Sequence, residues 1–216
     1  GMLGDWGAHV IDFAHNYLKL GLPTRVEPLR MDDYNQVIFP LSSHIRMQFP
    51  KRGTGLPACE MLWRDGSDAV PALDRKYYSS DASGNLVAPR LGRAGTVLHR
   101  KDEQFVIQRG SHGSASRLYP RASMMDYKRA LKAPSGGLDH MQSFIQSCLG
   151  NGKTTSPFSV GGPLTQLLML GVIAQYLNEG FNFDRSTKRI TNNPVADAML
   201  EGPAPRKGWE SYYTGA

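Results

Sequence analysis

The residues whose types and spacing could do chemistry lie near the start of the chain, where His9 follows Asp5 by four positions and precedes Asp12 by three. Side chains three and four positions apart on a helix are neighbours, so His9 would lie between two carboxylates. A carboxylate beside an imidazole fixes its tautomer and raises its basicity, as a general acid/base near neutral pH requires. Two structural interpretations use the same residues: Asp5 as a helix N-cap, and a polar stripe that is only solvated.

A helix over residues 5–20 is expected to position this group. Its pattern places polar and apolar residues on opposite sides, and Gly21 and Pro23 mark its end. The polar stripe consists of Asp5, His9, Asp12, Asn16 and Lys19, and the apolar side of Trp6, Val10, Phe13, Ala14 and Tyr17. The helix would therefore carry one face for the core and one face that titrates.

The rest of the chain predicts strands followed by helices. Strands are expected at 24–30, 43–49 and 58–64 and, after a long loop over 67–93, at 95–100, 104–109 and 115–119. Short turns join successive strands, so the sheet should be antiparallel. Helices are expected at 124–132, 137–149, 161–177 and 194–200. The third of these is apolar on nearly every side, which is typical of a central core helix.

These elements predict one α+β domain over residues 2–216, with Gly1 as an expression remnant. We expect an open, mainly antiparallel sheet that carries helices on one face and leaves the other face free. The apolar spacing of residues 138, 141, 145 and 148 gives the helix at 137–149 an apolar side.

Charge and composition argue against several classes of partner. Between Arg90 and Lys132, ten basic residues stand against three acidic ones, but no RNA-binding aromatic motif or helix-turn-helix spacing accompanies them, so nucleic-acid binding is not expected. No Cys/His cluster has zinc spacing, and Cys59 and Cys148 are interpreted as buried free thiols, so no metal site is expected. The leucine-rich helix is judged too short to cross a bilayer, so no membrane partner is expected.

The opening segment, Gly-Asp-Trp-Gly-Ala-His-Val-Ile-Asp at residues 4–12, resembles the start of the C-terminal domain in the Gfo/Idh/MocA family of NAD(P)-dependent sugar and polyol oxidoreductases. Three further segments resemble the family in the same order: Trp-Arg-Asp-Gly at 63–66, the leucine-rich helix with residues 181–193, and Arg-Lys-Gly-Trp at 206–209. The resemblance covers nearly the whole chain and implies the fold of that C-terminal domain.

The resemblance also implies roles for individual residues. In the family, the Asp and His at the positions of Asp5 and His9 sit beside the substrate carbon that gives or takes hydride, which implies His9 as the acid/base and Asp5 as its orienting carboxylate. Trp6, Trp63 and His140 are candidates for contact with the substrate. Trp63 is more simply a sheet residue, and His140 fits a histidine at the core boundary equally well.

The cofactor implied by the resemblance has no binding signature in this chain. No GxGxxG occurs, and the segment Gly-Asn-Gly-Lys-Thr at 150–154 lacks the first glycine and the preceding strand of a phosphate loop. NAD or NADP is therefore implied only for a full-length protein with an N-terminal Rossmann domain, which would also supply a catalytic lysine. We expect neither nucleotide to bind this chain alone.

The leading hypothesis is the substrate-binding and oligomerisation part of an NAD(P)-dependent oxidoreductase acting on a sugar, polyol or derivative. Its expected partners are a carbohydrate-like small molecule, the Rossmann domain and further copies of the chain, which in the family often meet through the open sheet face. Two alternatives stay open: a redox-neutral glycoside-cleaving enzyme on the same scaffold, and a non-catalytic sugar-binding or assembly module.

Overall fold

The computed structural model describes residues 1–35, 37–112, 114–130, 139–154 and 156–212. The helices of these residues are α1 (Met2–Tyr17), α2 (Arg121–Ala130), α3 (His140–Cys148), α4 (Phe158–Leu177) and α5 (Pro194–Ala198). The strands are β1 (Arg25–Asp32), β2 (Ser42–Phe49), β3 (Cys59–Asp65), β4 (Ser79–Ser80), β5 (Leu86–Val87), β6 (Gly95–His99), β7 (Val106–Gly110), β8 (Arg117–Tyr119), β9 (Phe181–Asp184) and β10 (Arg189–Ile190). Short 3-10 helices occupy Arg75–Tyr77 and Glu210–Tyr212. The fold is α+β, as predicted.

The described strands pair antiparallel in three open sheets. The main sheet has the order β10-β9-β1-β2-β3, and a second sheet has the order β6-β7-β8. β4 and β5 form a small ribbon within the long loop that joins β3 of the main sheet to β6 of the second sheet. The antiparallel pairing is therefore confirmed, but β6 to β8 form a sheet of their own. β3 and β6 remain edge strands because, among the described residues, nothing in the intervening loop pairs with either.

Hydrophobic alternation fixes the register of the main sheet. Ile45, Met47 and Phe49 of β2 are buried on one face, and the residues between them lie on the other. Ile45 pairs with Trp63 of β3, so the buried sides of the two strands coincide. A slip of one residue would turn the whole buried set toward solvent. The dry face packs against α1 and α4.

The opposite face of the main sheet carries ion pairs and polar contacts. Arg46 of β2 lies 2.7 Å from Glu27 of β1, and Gln48 donates to Glu60 of β3 at 2.9 Å. Arg25 contacts the same Glu27 carboxylate at 3.6 Å. The hydrogen bond from Arg46 holds the pKa of Glu27 below its usual range. This open face is thus polar, with Leu62 exposed among its charged neighbours.

Helix α4 is the centre of the core. Its buried residues are Leu164, Leu167, Leu168, Leu170, Gly171, Ile173, Ala174 and Gln175. The helix begins at Phe158, before the predicted start, and reaches 20 residues. The expectation that it is too short for a bilayer is therefore wrong: among the described helices it is the one that meets the length and composition of a membrane span, although a core helix meets both as well.

Two glycines let α1 and α4 approach closely. A Cβ on Gly7 would lie 2.5 Å from Leu168 Cδ2, and a Cβ on Gly171 would lie 2.4 Å from Leu3 Cδ2. Both distances are far below van der Waals contact, so a larger residue at either position would require the neighbouring leucine side chain to move within the packed core. Glycine at these positions thus leaves room for the leucine side chains between the helices.

Helix α1 differs from its prediction in position and orientation. It begins at Met2, and the Gly1 carbonyl accepts from the amides of Gly4 and Asp5, so Asp5 lies in the first turn and is not the N-cap. Its core side consists of Leu3, Gly7, Val10, Ile11 and Ala14. Trp6 is only half-buried and Tyr17 is 70% exposed, so the true core side is rotated from the predicted one.

Helix α3 presents its apolar side to solvent. Met141, Phe144 and Ile145 are all exposed, and the helix has no buried residue. The expectation that Cys148 is buried is wrong for the same reason, while Cys59 is half-buried. The predicted start of this helix at residues 137 and 138, and the predicted end of the preceding helix at 132, lie outside the described residues.

One histidine of α1 is part of the core. The His15 ring is 5% exposed, and its Nε2–H donates to the Gly21 carbonyl at 3.1 Å when the ring is neutral. Burial lowers the pKa of His15 below 6.5, although the Gly21 contact and the Asp12 carboxylate act in the opposite direction.

This pKa shift predicts a loss of stability in mild acid. Below pH 6.5 the unfolded chain binds more protons at His15 than the folded chain, so the free energy of unfolding should fall as the pH falls through and below that value. In His15→Gln, whose amide also donates a hydrogen bond but does not titrate, this component should vanish. Urea unfolding of both proteins between pH 7.5 and about pH 5 measures it, and parallel pH profiles would contradict the prediction.

Candidate functional site

The structure places the predicted acid/base pair on the exposed side of α1. Asp5 and His9 are both exposed, and within the described part of the chain no hydrogen bond or ion pair joins them. Asp12 is half-buried one turn further on. The helical spacing is as predicted, and the assignment of His9 as acid/base stays a prediction.

His9 is held by aromatic contacts. Its ring stacks on the ring of His112 with centroids 4.5 Å apart, and the Trp6 ring meets both edge-on at 5.8 and 5.4 Å. His112 Nδ1 lies 3.0 Å from the Ser111 hydroxyl. His112 follows β7, more than a hundred residues after His9, so local helix spacing gave no signal for it. The three rings form an aromatic cluster that orients the His9 imidazole.

A cavity of about 490 Å³ lies beside this cluster, between α1, the edge strand β3 and the edge strand β6. Trp6 and Trp63 both line it, together with apolar residues of α1 such as Val10 and Ile11. Its volume is that of a small-molecule site. Two of the predicted substrate-contacting residues therefore share one cavity, and Trp6 connects it to the ring of His9.

Backbone edges form much of the cavity wall. Consecutive residues of β3, from Cys59 to Gly66, line one side, and consecutive residues from Leu91 to His99 line the other. Because neighbouring strand residues point to opposite faces, an unbroken run of this kind indicates that the strand edges themselves face the cavity. Edge strands carry unpaired N–H and C=O groups, so the cavity offers hydrogen-bonding groups of both kinds.

A buried carboxylate fixes the position of the Trp63 ring in the cavity wall. Asp65 Oδ1 accepts from the Ser43 amide at 2.6 Å and from the Ser43 hydroxyl at 2.8 Å, and Asp65 Oδ2 accepts from the Trp63 indole N–H at 2.9 Å. Gln175 of α4 donates to the Ser43 hydroxyl at 2.6 Å. Asp65 is 7% exposed. The network therefore joins β2, β3 and α4 directly behind the cavity.

His140 lies elsewhere. It is the first residue of α3, directly after Asp139, whose side chain accepts from the amides of Met141 and Gln142. It is exposed and does not line the cavity. The structure thus brings Trp6 and Trp63 together, places His9 at their edge, and leaves His140 apart.

The described residues do not have the arrangement in which a nicotinamide dinucleotide usually binds. Such cofactors bind where parallel strands and helices alternate, with a glycine-rich turn at a helix N-terminus, whereas the described strands pair antiparallel in every sheet. Over the same residues no group of three or more His, Cys, Asp or Glu side chains could hold a metal ion.

Loss of the Asp65 carboxylate should destabilise the fold strongly. Asp65→Ala leaves the Ser43 amide, the Ser43 hydroxyl and the Trp63 N–H without their buried acceptor, at a cost of about 3 kcal/mol or more. Asp68→Ala, which removes a half-exposed carboxylate paired with Arg30, should cost about 1 kcal/mol or less. Urea unfolding of both variants measures the difference in the free energy of unfolding. Equal losses of stability would show that the buried network contributes no more than the exposed ion pair.

Comparison of the chain with protein-family models, with curated proteins and with solved structures finds no match. The likeness to the Gfo/Idh/MocA family consequently rests on the four sequence segments alone.

Proposed function

We propose that this chain is the substrate-binding and oligomerisation part of an NAD(P)-dependent oxidoreductase acting on a sugar, polyol or derivative, with the C-terminal-domain fold of the Gfo/Idh/MocA family. One observation carries the proposal: the Trp6 and Trp63 side chains, from two of the family-like segments, line the same cavity of small-molecule size. Nothing in the local periodicity of either segment requires them to meet.

The cavity suits a polyhydroxylated ligand. Indole rings pack against the apolar C–H faces of sugars, and the strand edges and Gln108 supply hydrogen-bond partners for hydroxyl groups. Gln108 is 7% exposed and lines the cavity. The ligand would thus lie between two aromatic walls with its hydroxyl groups toward backbone and amide groups.

The proposed proton transfer belongs to His9. As a carbinol is oxidised, its hydroxyl proton must be taken up, and an imidazole is the side chain suited to this near neutral pH. His9 is exposed beside Trp6, so a ligand that extends from the cavity past Trp6 would bring its reacting carbon toward this ring. Asp5, one turn earlier, would compensate the charge on the imidazolium. A nucleotide-binding domain would have to close over this side of α1.

A non-catalytic sugar-binding module is the second candidate. It is favoured by the exposure of His9 and by the absence, within the described chain, of a contact between His9 and Asp5. In this case the cavity alone would account for the function, and His9 would only complete the aromatic cluster.

Sugar binding and turnover separate the two candidates. Sugars and polyols are screened for binding by the change that they cause in tryptophan fluorescence. The affinity of the ligands found should fall about tenfold or more in Trp6→Leu, because one aromatic wall is lost. Trp209→Leu is the matched control, since Trp209 is 53% exposed and contacts the Tyr212 ring outside the cavity. Equal affinities in the two variants would exclude the cavity as the binding site.

His9→Ala should leave binding intact and reduce NAD(P)-dependent oxidation of the bound ligand, assayed with the nucleotide-binding domain present, by about a hundredfold or more. Binding without oxidation in the native protein would favour the sugar-binding module. Oxidation at an unchanged rate in His9→Ala would remove His9 from the mechanism.

The open face of the main sheet is the proposed oligomer interface. Leu62 is 43% exposed on the edge strand β3, opposite Arg46 of β2. Leu62→Arg should therefore lower the mass measured by light scattering toward that of one chain, because it replaces an apolar side chain that a partner would cover with an unpaired charge. Leu86→Arg, at an equally exposed leucine of the small ribbon, is the control. Identical masses for both variants would argue for another interface.

A further inference from the structure

A second concavity, of about 390 Å³, lies where α1 ends, and its lining is strongly basic. Lys19, Lys51, Arg52 and Arg185 contribute four cationic side chains from three separate segments of the chain. The turn residues Gly53 and Thr54 complete its polar wall. This basic pocket shares no lining residue with the cavity between Trp6 and Trp63.

The positive charge of the basic pocket is not compensated by the protein. No Asp or Glu lines it, and none of its four cations takes part in an ion pair with another described residue. Some cations elsewhere are paired, such as Arg30 with Asp32, Arg46 with Glu27 and Arg189 with Asp197. The basic pocket differs because it brings to one place four cations that have no ion pair within the described part of the chain. Four like charges gathered around one concavity repel one another unless an anion binds between them.

Arg52 is held in place before any ligand arrives. Its Nε donates to the Leu18 carbonyl at 3.0 Å and its Nη1 donates to the Pro50 carbonyl at 2.8 Å. A guanidinium group has five N–H donors, so donors remain for a ligand. The contact with Leu18 also covers a carbonyl at the C-terminal end of α1, where the helix dipole would otherwise repel an anion.

Lys19 has a backbone conformation that lysine disfavours. Its φ is +49°, in the left-handed region where glycine and asparagine are the usual residues. A lysine in this position costs stability, and such positions are concentrated at functional sites. Lys188 has the same backbone conformation outside the pocket, so what distinguishes Lys19 is that its side chain lines the basic pocket.

We propose that the basic pocket binds a small phosphate-bearing anion, such as a phosphate monoester or a pyrophosphate. A phosphate group carries close to two negative charges and accepts several charge-assisted hydrogen bonds, which matches convergent lysine and arginine donors. The four cations surround one shallow concavity and do not form an extended stripe, which favours a compact ligand over a nucleic acid or a membrane surface. This inference is independent of the sugar-oxidoreductase proposal.

The test compares two lysines that differ only in their place. Lys188 also has a left-handed backbone, with φ of +56°, but does not line the pocket. Both Lys19→Asn and Lys188→Asn remove one positive charge and relieve the same strain, so both should raise the melting temperature of the protein by about 2 °C in phosphate-free buffer. The rise should be larger in Lys19→Asn, because this variant also relieves repulsion among the pocket cations. Only Lys19→Asn should weaken binding of inorganic phosphate and pyrophosphate, by about tenfold.

Binding is measured by calorimetry and by the rise in melting temperature with added phosphate or pyrophosphate, against sodium chloride at equal ionic strength. Arg185→Gln should weaken binding in the same way as Lys19→Asn. Agreement between the two variants would show that the weaker binding is not caused by misfolding of one of them. Equal affinity in Lys19→Asn and Lys188→Asn, or a response to phosphate no larger than that to chloride, would overturn the proposal. So would binding to anionic lipid vesicles or RNA without binding to phosphate and pyrophosphate.

Discussion

The buried Asp65 carboxylate is the interaction on which the arrangement of this protein depends. Through Ser43 and Trp63 it joins two neighbouring strands, and through the Ser43 hydroxyl it reaches Gln175 of the central helix, 132 residues after Ser43 in the chain. A buried charge is tolerated only where its hydrogen bonds are made. The network therefore specifies one relative position of sheet and helix, and the same position sets the Trp63 ring against the cavity.

Much of the fold follows from period and turn chemistry. The alternation of Ile45, Met47 and Phe49 predicts the buried face of β2 because each strand residue points opposite to the next. The Asp-Gly after β3 predicts its end, and the unbroken apolar circumference of α4 predicts its central place. These signals are local, so they can be read from a single sequence.

The site depends on contacts that are not local. His112 meets His9 across more than a hundred residues, and the basic pocket gathers cations from near residues 19, 51 and 185. A search for charge along the sequence finds the run from Arg90 to Lys132 and overlooks this pocket, because its members are dispersed. Gln175 interrupts an apolar helix in the sequence, and only the fold shows that its amide meets Ser43. Sequence periodicity also gives α3 an apolar side but does not say what covers it.

The second sheet is attached to the rest of the molecule mainly through α1. Thr96 of β6 donates to the Val10 carbonyl, and the Arg109 guanidinium of β7 lies 4.5 Å from the centre of the Phe13 ring. The edges of β3 and β6 are not joined to each other. Because α1 contacts both β3 and β6 while the two strand edges are not paired, the position of α1 sets the width of the gap between them. A change in the tilt of α1 would therefore widen or narrow that gap.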